Sequence, residues 1–280
     1  MERIYVEIGN ICNLHCSFCP STARTPRQMS VEEFRRVSTE AKKHTKYVYL
    51  HVMGEPLLHL RLEEFLKILE MDGLRACVTT NGTLLNQRGK LLLQSPATHK
   101  VSISLHAPEA NTGIALPDYL RNCVDFARQA AQSGIFTVFR LWNLDSEEGQ
   151  GANGENQYIR NFLQESFPEE WIPRRNGYRL STRIFLEYDG LFTWPAESKA
   201  ESRECGTCHG LRDQIGILAD GTVVPCCLDH EGAISLGNVF ETPLEEILNT
   251  PRAQAMRKGF EARRLVEPLC QSCTFAKRFR

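Results

Sequence analysis

Hydrophobic positions in the first 190 residues follow two alternating patterns. Short runs rich in β-branched and aromatic residues predict strands, and segments with an apolar residue every three or four positions predict amphipathic helices. Repeated alternation of strand and helix predicts an α/β fold built on a parallel sheet or a barrel, which periodicity does not distinguish. The predicted strands are 4–8, 47–53, 75–80, 100–106, 135–142 and 179–188, and the predicted helices are 31–43, 62–71, 84–93, 117–133 and 158–167.

Local signals mark the ends of several predicted helices. Ser30, followed three residues later by Glu33, is a capping-box pattern, which predicts that the first helix begins directly after Ser30. Gly73 and Gly134 follow the second and the fourth predicted helices. Because glycine readily adopts the left-handed conformation found just past a helix end, both are predicted to end these helices.

The alternation stops after Trp194. Beyond it, residues 215–224 predict a β-hairpin that turns at Asp220–Gly221. Two short helices, 243–250 and 251–260, are predicted because each begins near a proline.

This break in the pattern predicts a domain boundary near residues 195–204. It divides the chain into a first domain, 1–195, and a small second domain, 196–280. Residues 145–156 are polar and rich in glycine, which predicts a surface loop in the first domain.

The composition is that of an ordinary globular protein. Of the 280 residues, 42% are hydrophobic and 24% are charged, which excludes bulk disorder. The formal net charge is −1, from 33 Lys and Arg against 34 Asp and Glu, so we expect neither a nucleic-acid nor a membrane partner. No apolar run approaches the roughly 18 residues of a membrane helix. Residues 1–6 lack the basic and apolar regions of a signal peptide, so we expect a cytoplasmic protein.

Cysteine is the exceptional residue type, with 11 in the chain. Without an export signal the thiols are expected to stay reduced, and clustered cysteines then indicate metal or redox sites. Cys77 and Cys123 stand alone and are predicted to be small core residues. The others form two groups, one of Cys12, Cys16 and Cys19 and one of Cys205, Cys208, Cys226, Cys227, Cys270 and Cys273.

The first group has the spacing Cys-x3-Cys-x2-Cys. Three thiolates on one loop suit a [4Fe–4S] cluster, because the fourth iron then stays open to an outside molecule. Structural zinc is the alternative, but it requires four ligands. His15 lies inside the loop and stays a candidate on spacing alone.

This loop resembles that of the radical S-adenosylmethionine (SAM) enzymes, including the aromatic Phe18 before the third cysteine. Further motifs of that family have counterparts at predicted strand ends. They are Met53–Gly54–Glu55–Pro56, similar to a Gly-Gly-Glu-Pro turn, Thr79–Thr80–Asn81–Gly82 at the end of the third strand, and Ser102–Ile103–Ser104–Leu105 at the end of the fourth. Their order and positions make the resemblance specific over about residues 1–190.

The resemblance implies a partial (β/α)6 TIM-like barrel with its active site at the C-terminal strand ends. It implies a SAM-binding [4Fe–4S] cluster on the first three cysteines, with SAM as cofactor. The backbone of the turn at Gly54 and Glu55 is expected to hold the amino group of SAM, and Ser104 is expected to contact SAM.

Arg140 is a charged residue within the apolar segment 136–142. Because a buried arginine needs a partner, a carboxylate is expected nearby. The carboxylate of SAM, a substrate or an acidic side chain would each satisfy it, and we expect that of SAM.

The second cysteine group resembles the SPASM and Twitch modules of the same superfamily. Six thiols cannot complete two [4Fe–4S] clusters, so one auxiliary cluster is predicted. Cys226 and Cys227 end an extended segment, and their side chains should point to opposite sides. Cys205 and Cys227 are then spare, although either would serve in place of its neighbour, and structural zinc remains an alternative. The expected ligands, whose spacing is similar to that of a single-cluster relative, are Cys208, Cys226, Cys270 and Cys273.

The implied function is a radical SAM enzyme. Reductive cleavage of SAM would give a 5′-deoxyadenosyl radical that abstracts a hydrogen atom, and the auxiliary cluster would accept an electron, which favours net oxidation of a small molecule. Modification of a ribosomal peptide and a non-catalytic iron–sulfur or zinc protein are the alternatives. We expect an electron donor such as flavodoxin or ferredoxin, and we assign no general acid or base.

Overall fold

The computed structural model describes residues 1–108, 111, 113–144, 154–190, 193–195 and 202–278. Eleven strands and eight helices lie in this part of the chain. The strands are β1 (Arg3–Val6), β2 (Tyr47–Tyr49), β3 (Arg75–Thr80), β4 (Thr98–Ser104), β5 (Phe136–Leu144), β6 (Ile172–Arg174), β7 (Gly177–Ser181), β8 (Ile184–Gly190), β9 (Gln214–Ile217), β10 (Thr222–Val224) and β11 (Gly237–Asn238). The helices are α1 (Val31–Ala41), α2 (Leu62–Met71), α3 (Leu85–Gln94), α4 (Leu116–Gln132), α5 (Glu155–Ser166), α6 (Leu244–Leu248), α7 (Pro251–Glu261) and α8 (Pro268–Ser272).

All eleven strands belong to one sheet in the order β11-β10-β9-β1-β2-β3-β4-β5-β8-β7-β6. Within it β1, β2, β3, β4, β5 and β8 are consecutive parallel neighbours, and a helix follows each of the first five. This is the strand–helix order of the predicted partial (β/α)6 barrel and confirms the predicted α/β class.

The prediction of one strand over 179–188 is wrong in its extent. Strands β7 and β8 run antiparallel and are separated by a turn in which Arg183 has a φ of 62°. The apolar residues Leu180, Ile184 and Leu186 keep a period of two through that turn, and neither glycine nor proline marks it. Periodicity therefore could not reveal the reversal.

The two faces of the parallel strands differ in character. Ile4, Val6 and Val48 are almost fully buried in the apolar core against the helices. Alternate residues such as Tyr5 and Tyr49, whose rings are 5.1 Å apart, occupy the opposite face. The helix side therefore supplies hydrophobic stability, and the other side carries polar and aromatic groups.

The predicted helix ends are confirmed. The Ser30 side chain accepts a hydrogen bond from the Glu33 amide, and the Glu33 side chain accepts one from the Ser30 amide. Gly73 and Gly134 have φ values of 69° and 80°, in the left-handed region that favours glycine. Helices α1 and α2 then meet through Phe34 and Phe65, whose rings stack 4.1 Å apart.

The C-terminal part extends the same sheet. Strand β9 pairs in parallel with β1, and the predicted hairpin turns back into β10 at Gly221, which has a φ of 87°. The two predicted short helices are present as α6 and α7. Among the described residues, no helix has both the length and the apolar character needed to cross a membrane.

Two predictions fall wholly or mainly outside the described residues. The surface loop 145–156 is described only from residue 154, and the boundary between 195 and 196 adjoins residues 196–201, which lie outside the description. The division into two domains therefore stays a prediction.

Candidate functional site

The three cysteines of the first loop line one pocket at the C-terminal end of the parallel strands. The pocket has a volume of about 470 Å³ and opens to solvent. Met53 and Gly54, from the loop after β2, lie on its wall, as does His15. The fold thus brings the cysteine loop and the glycine turn, 35 residues or more apart in sequence, to one site.

Nitrogen donors surround two of the thiols. Cys12 Sγ accepts hydrogen bonds from the Leu14 amide at 3.5 Å and from Asn81 Nδ2 at 3.8 Å. Cys16 Sγ accepts one from Asn111 Nδ2 at 3.2 Å. Burial raises the pKa of both thiols, whereas the Leu14 and Asn111 donors act in the opposite direction. Since an iron ligand must be a thiolate, this donor set fits an iron–sulfur cluster.

Gly54 is required by the close approach of two loops. Its φ is 78°, and a Cβ there would lie 2.4 Å from the Gly9 carbonyl oxygen and 2.9 Å from that of Ile11. The Glu55 amide donates to the same Ile11 oxygen at 2.9 Å. The turn is therefore fastened directly to the backbone that leads into Cys12.

The Glu55 side chain has a structural role in this site. It is buried, and its carboxylate accepts hydrogen bonds from the Leu57 amide at 2.9 Å, Thr80 Oγ1 at 2.7 Å and the Asn81 amide at 2.8 Å. Burial raises the pKa of Glu55, and these donors oppose that shift. The carboxylate thus ties the turn to the end of β3, and the expected contact with SAM remains a prediction for its backbone.

A buried glutamate that the sequence analysis missed holds the site together. Glu7, at 0% exposure, accepts two hydrogen bonds from Arg24, at 2.6 and 2.8 Å, in a bidentate ion pair. It also accepts hydrogen bonds from the amides of Met53 at 3.2 Å and Ala219 at 3.0 Å. The interruption of an apolar run, Ile4–Ile8, by a charge was the one available signal.

Ser104 and Arg140 are register partners on β4 and β5, so the two predicted SAM contacts are neighbours. Arg140 Nη1 donates to Thr79 Oγ1 at 3.3 Å, and its guanidinium lies 4.2 Å from the Trp142 ring centroid. Arg140 Nε is buried without a hydrogen-bond partner in the described parts of the chain. The nearest carboxylate in register is Glu187 on β8, and burial lowers the pKa of Arg140 while Glu187 acts against this.

Two histidines lie near Arg140, of which His106 is buried and His51 is half-buried. His51 Nε2 lies 3.3 Å from Thr79 Oγ1, and His106 Nδ1 lies 3.1 Å from the Arg140 carbonyl oxygen. Burial lowers the pKa of His51 to about 3 and that of His106 to about 4. Both rings are therefore neutral near pH 7, which agrees with ordinary strand-end residues.

The second cysteine group surrounds a separate, mainly apolar cavity with a volume of about 30 Å³. The side chains of Leu228, Ile234, Leu265, Leu269 and Phe275 contribute to its wall. Its cysteine lining consists of the predicted ligands Cys208, Cys226, Cys270 and Cys273. Burial raises the pKa of all these thiols, so iron binding must release their protons.

The two spare cysteines lie elsewhere. Cys205 is exposed, and its backbone pairs with that of Arg264 in an isolated antiparallel β-bridge. Cys227 does not line the cavity; burial raises the pKa of its thiol to about 11, and Tyr5 on β1 opposes that shift. Of the two adjacent cysteines only Cys226 lines the cavity. The predicted reason, an extended segment through both residues, is wrong, because β10 ends at Val224 and Cys226 and Cys227 lie in a bend and a turn. In the described ranges, no three His, Cys, Asp or Glu side chains are close enough to hold a single metal ion.

Two family models match the chain. That of the radical SAM superfamily matches residues 6–147, and that of SPASM, an iron–sulfur cluster-binding domain, matches residues 208–274. The AdoMet-dependent heme synthase of Oleidesulfovibrio alaskensis is 25% identical over 107 residues, which are 37% of this chain and 28% of that protein. The subtilosin biosynthesis protein AlbA of Bacillus subtilis is 21% identical over 269 residues, 88% of this chain and 59% of AlbA. The aligned part thus covers less than two thirds of either relative.

Solved structures with a similar fold have low sequence identity. SuiB of Streptococcus suis bound to S-adenosylmethionine has a TM-score of 0.65 at 17% identity, covering 98% of this chain and 71% of SuiB. BtrN in complex with AdoMet and 2-DOIA has a TM-score of 0.57 at 15% identity, covering 98% and 93%. The likeness extends over the barrel and the C-terminal part together.

The environment of Glu7 generates a prediction about stability. Glu7→Gln leaves Arg24 without a buried counter-ion, so the free energy of unfolding should fall by about 3–5 kcal/mol. The matched control is Glu63→Gln, which breaks the exposed pair with Lys67 on α2 and should leave stability unchanged. Urea unfolding of the anaerobically reconstituted proteins measures both, and equal losses in the two variants would contradict the role of Glu7.

The two cysteine cavities generate a prediction about iron content. Wild type should bind about eight irons, in two four-iron clusters. Cys226→Ser should retain about four, because it removes a ligand from the apolar cavity. Cys227→Ser, the adjacent control, should retain about eight. Iron analysis with Mössbauer spectra measures this, and loss of four irons from the Cys227 variant, or about twelve in wild type, would refute the ligand set.

Proposed function

The chain belongs to the radical SAM superfamily, and we propose that it binds SAM and a [4Fe–4S] cluster in the pocket of Cys12, Cys16 and Cys19. When bound there, these cofactors supply a 5′-deoxyadenosyl radical that abstracts a hydrogen atom from the substrate. The observation that carries the proposal is the convergence of the three thiols with the Met53–Gly54 turn on one pocket. Gly54, Ser104 and Arg140 would orient SAM.

We further propose that residues 196–280 form an auxiliary module with one [4Fe–4S] cluster on Cys208, Cys226, Cys270 and Cys273. Four protein ligands leave no iron open, so this cluster would carry electrons and bind no substrate. The atoms and electrons of a two-electron substrate oxidation would then balance. The substrate would lose a hydrogen atom to the radical, a proton to the medium and an electron to the auxiliary cluster. The apolar cavity supports this role, since its walls limit access by water.

A small polar molecule is the substrate class that the barrel interior favours. Polar side chains lie close together on the face of the parallel strands that is turned away from the helices. On this face Lys100 Nζ lies 5.2 Å from the Tyr49 ring centroid. His51 Nδ1 is buried without a partner within the described residues, and so is Arg140 Nε. These unpaired nitrogens could bind oxygen atoms of a ligand. BtrN, of similar length and fold, has been crystallised with the small molecule 2-DOIA.

Modification of a peptide is the second candidate. AlbA, which aligns with 88% of this chain, acts in bacteriocin biosynthesis, and SuiB has been crystallised with its precursor peptide SuiA. A flavodoxin or a ferredoxin is the proposed electron donor for either substrate class.

The test of the catalytic proposal is release of 5′-deoxyadenosine. Reconstituted wild type, reduced with dithionite, should release it from SAM. The Cys12/Cys16/Cys19→Ala variant should release only background, because it lacks the open iron. Cys205→Ala, which alters an exposed cysteine outside both cavities, is the control and should match wild type. If wild type released 5′-deoxyadenosine only at the background level, the proposed catalytic function would be contradicted under those conditions.

Arg140 generates a prediction about SAM binding. Hydrogen bonds to charged groups contribute about 1.5–3 kcal/mol, so Arg140→Ala should weaken SAM binding by about tenfold or more. Arg183→Ala is the matched control, since Arg183 also lies over an aromatic ring, 4.9 Å from the Phe136 centroid, but at the opposite end of the strands. Equilibrium binding of SAM to the holoenzyme measures both. An unchanged affinity in Arg140→Ala would assign the residue to substrate binding or structure.

A further inference from the structure

A groove on the outer surface adjoins the auxiliary cavity. We call it the Cys208 groove, and Cys208 lines both the groove and the cavity. The cluster proposed for the cavity would therefore lie closest to this groove at Cys208. The lining of the groove includes Cys208, Leu211, Arg212, Arg257, Glu261 and Arg263.

The charge of the Cys208 groove is predominantly positive. Three arginines, Arg212, Arg257 and Arg263, line it against one acidic residue, Glu261. The Arg212 side chain is 62% exposed, although it also pairs with Asp213. The whole chain has a net charge of −1, so this is a local concentration of positive charge. A surface of this kind attracts an acidic partner and raises its association rate.

The backbone around the groove is held in an unusual conformation. Leu211 and Arg263 have φ values of 61° and 56°, which residues other than glycine rarely adopt. Arg257 Nε donates to the Leu211 carbonyl oxygen at 3.2 Å, and the Gly206 amide donates to that of Arg263 at 2.8 Å. Such conformations persist only where the surroundings enforce them, and they concentrate at functional sites. The groove is thus a fixed feature beside Cys208.

We propose that the Cys208 groove docks a small acidic one-electron carrier, a flavin or iron–sulfur protein, which exchanges electrons with the auxiliary cluster. The proposal rests on the auxiliary cluster of the proposed function. After substrate oxidation the reduced cluster gives one electron to the oxidised carrier, so the cluster regains its resting charge and the carrier is reduced by one electron. No bond is made or broken in this step.

The partner's acidity follows from the arginines, and its redox character follows from the position of Cys208. A basic groove elsewhere on the chain would attract anions without offering a route for electrons. A neutral redox protein would gain nothing from Arg212 and Arg263. The two features together select a carrier that is both acidic and redox-active.

The test measures electron transfer from the dithionite-reduced, desalted holoenzyme to oxidised flavodoxin by stopped flow. Arg212→Gln/Arg263→Gln should slow formation of the flavin semiquinone by about tenfold at low ionic strength, and high salt should remove the difference. The control Lys90→Gln/Arg121→Gln also removes two positive charges, one from α3 and one from α4, and should leave the rate with flavodoxin unchanged. Methyl viologen, a cation, should exchange electrons with both variants at least as fast as with wild type, because the substitutions remove positive charge.

An unchanged rate in the Arg212/Arg263 variant, or an equal loss in the Lys90/Arg121 control, would overturn the proposal. A slower reaction with methyl viologen would also overturn it, because the substitutions would then have altered the cluster and not the docking. The proposed function is assayed separately by 5′-deoxyadenosine release with dithionite, which should be the same in wild type and in the groove variant. If wild type released no 5′-deoxyadenosine, the proposed function would fail, but the electron-transfer rates could still be measured. The proposed function and the docking proposal can therefore fail separately.

Discussion

The structure depends most on one buried carboxylate. Transfer of an ionised group out of water costs several kcal/mol, and that cost is offset only when the remaining oxygen lone pairs are satisfied. Glu7 meets this condition with the Arg24 guanidinium and the amides of Met53 and Ala219. These donors belong to the end of the cysteine loop, the turn after β2 and the C-terminal hairpin. The same ion thereby fixes the pocket of Cys12, Cys16 and Cys19 and the C-terminal part relative to each other.

Strand alternation separates stability from chemistry in this fold. One face of β1–β5 packs against the helices with apolar residues such as Ile4 and Val101, both at 0% exposure. The other face has Tyr49, Lys100 and Arg140, whose polar groups are costly to bury unless a partner is present. Because side chains alternate with a period of two, substitutions on the inner face can alter binding while the apolar core stays intact.

Local features were predictable from the sequence because their causes are local. The capping box at Ser30 and the glycine at position 73 act within one helical turn. Glu7 could not be assigned in this way, since its partners lie 17, 46 and 212 residues away in sequence. Only the folded chain brings these donors together.

The role of the Glu55 side chain could not be predicted from the sequence either, because its hydrogen-bond donors are distant in sequence. Its place in a known turn suggested a SAM contact, but the donors from Thr80 and Asn81 arrive from the next strand. A motif identifies where the backbone must pass, and tertiary contacts decide which groups remain free for a ligand. At Gly54 the motif does fix the path of the backbone, because the carbonyl oxygens of Gly9 and Ile11 leave no room for a Cβ there.

The two cysteine cavities differ in ways that suit different tasks. Access of solvent and hydrogen bonds to sulfur tune the potential of an iron–sulfur cluster. The pocket of Cys12 is open and has amide donors, whereas the cavity of Cys226 has apolar walls. Cys226 lines that cavity, whereas the adjacent Cys227 does not and interacts with Tyr5 of β1. The two pockets therefore offer different surroundings to the clusters proposed for them, and we expect those clusters to differ in potential.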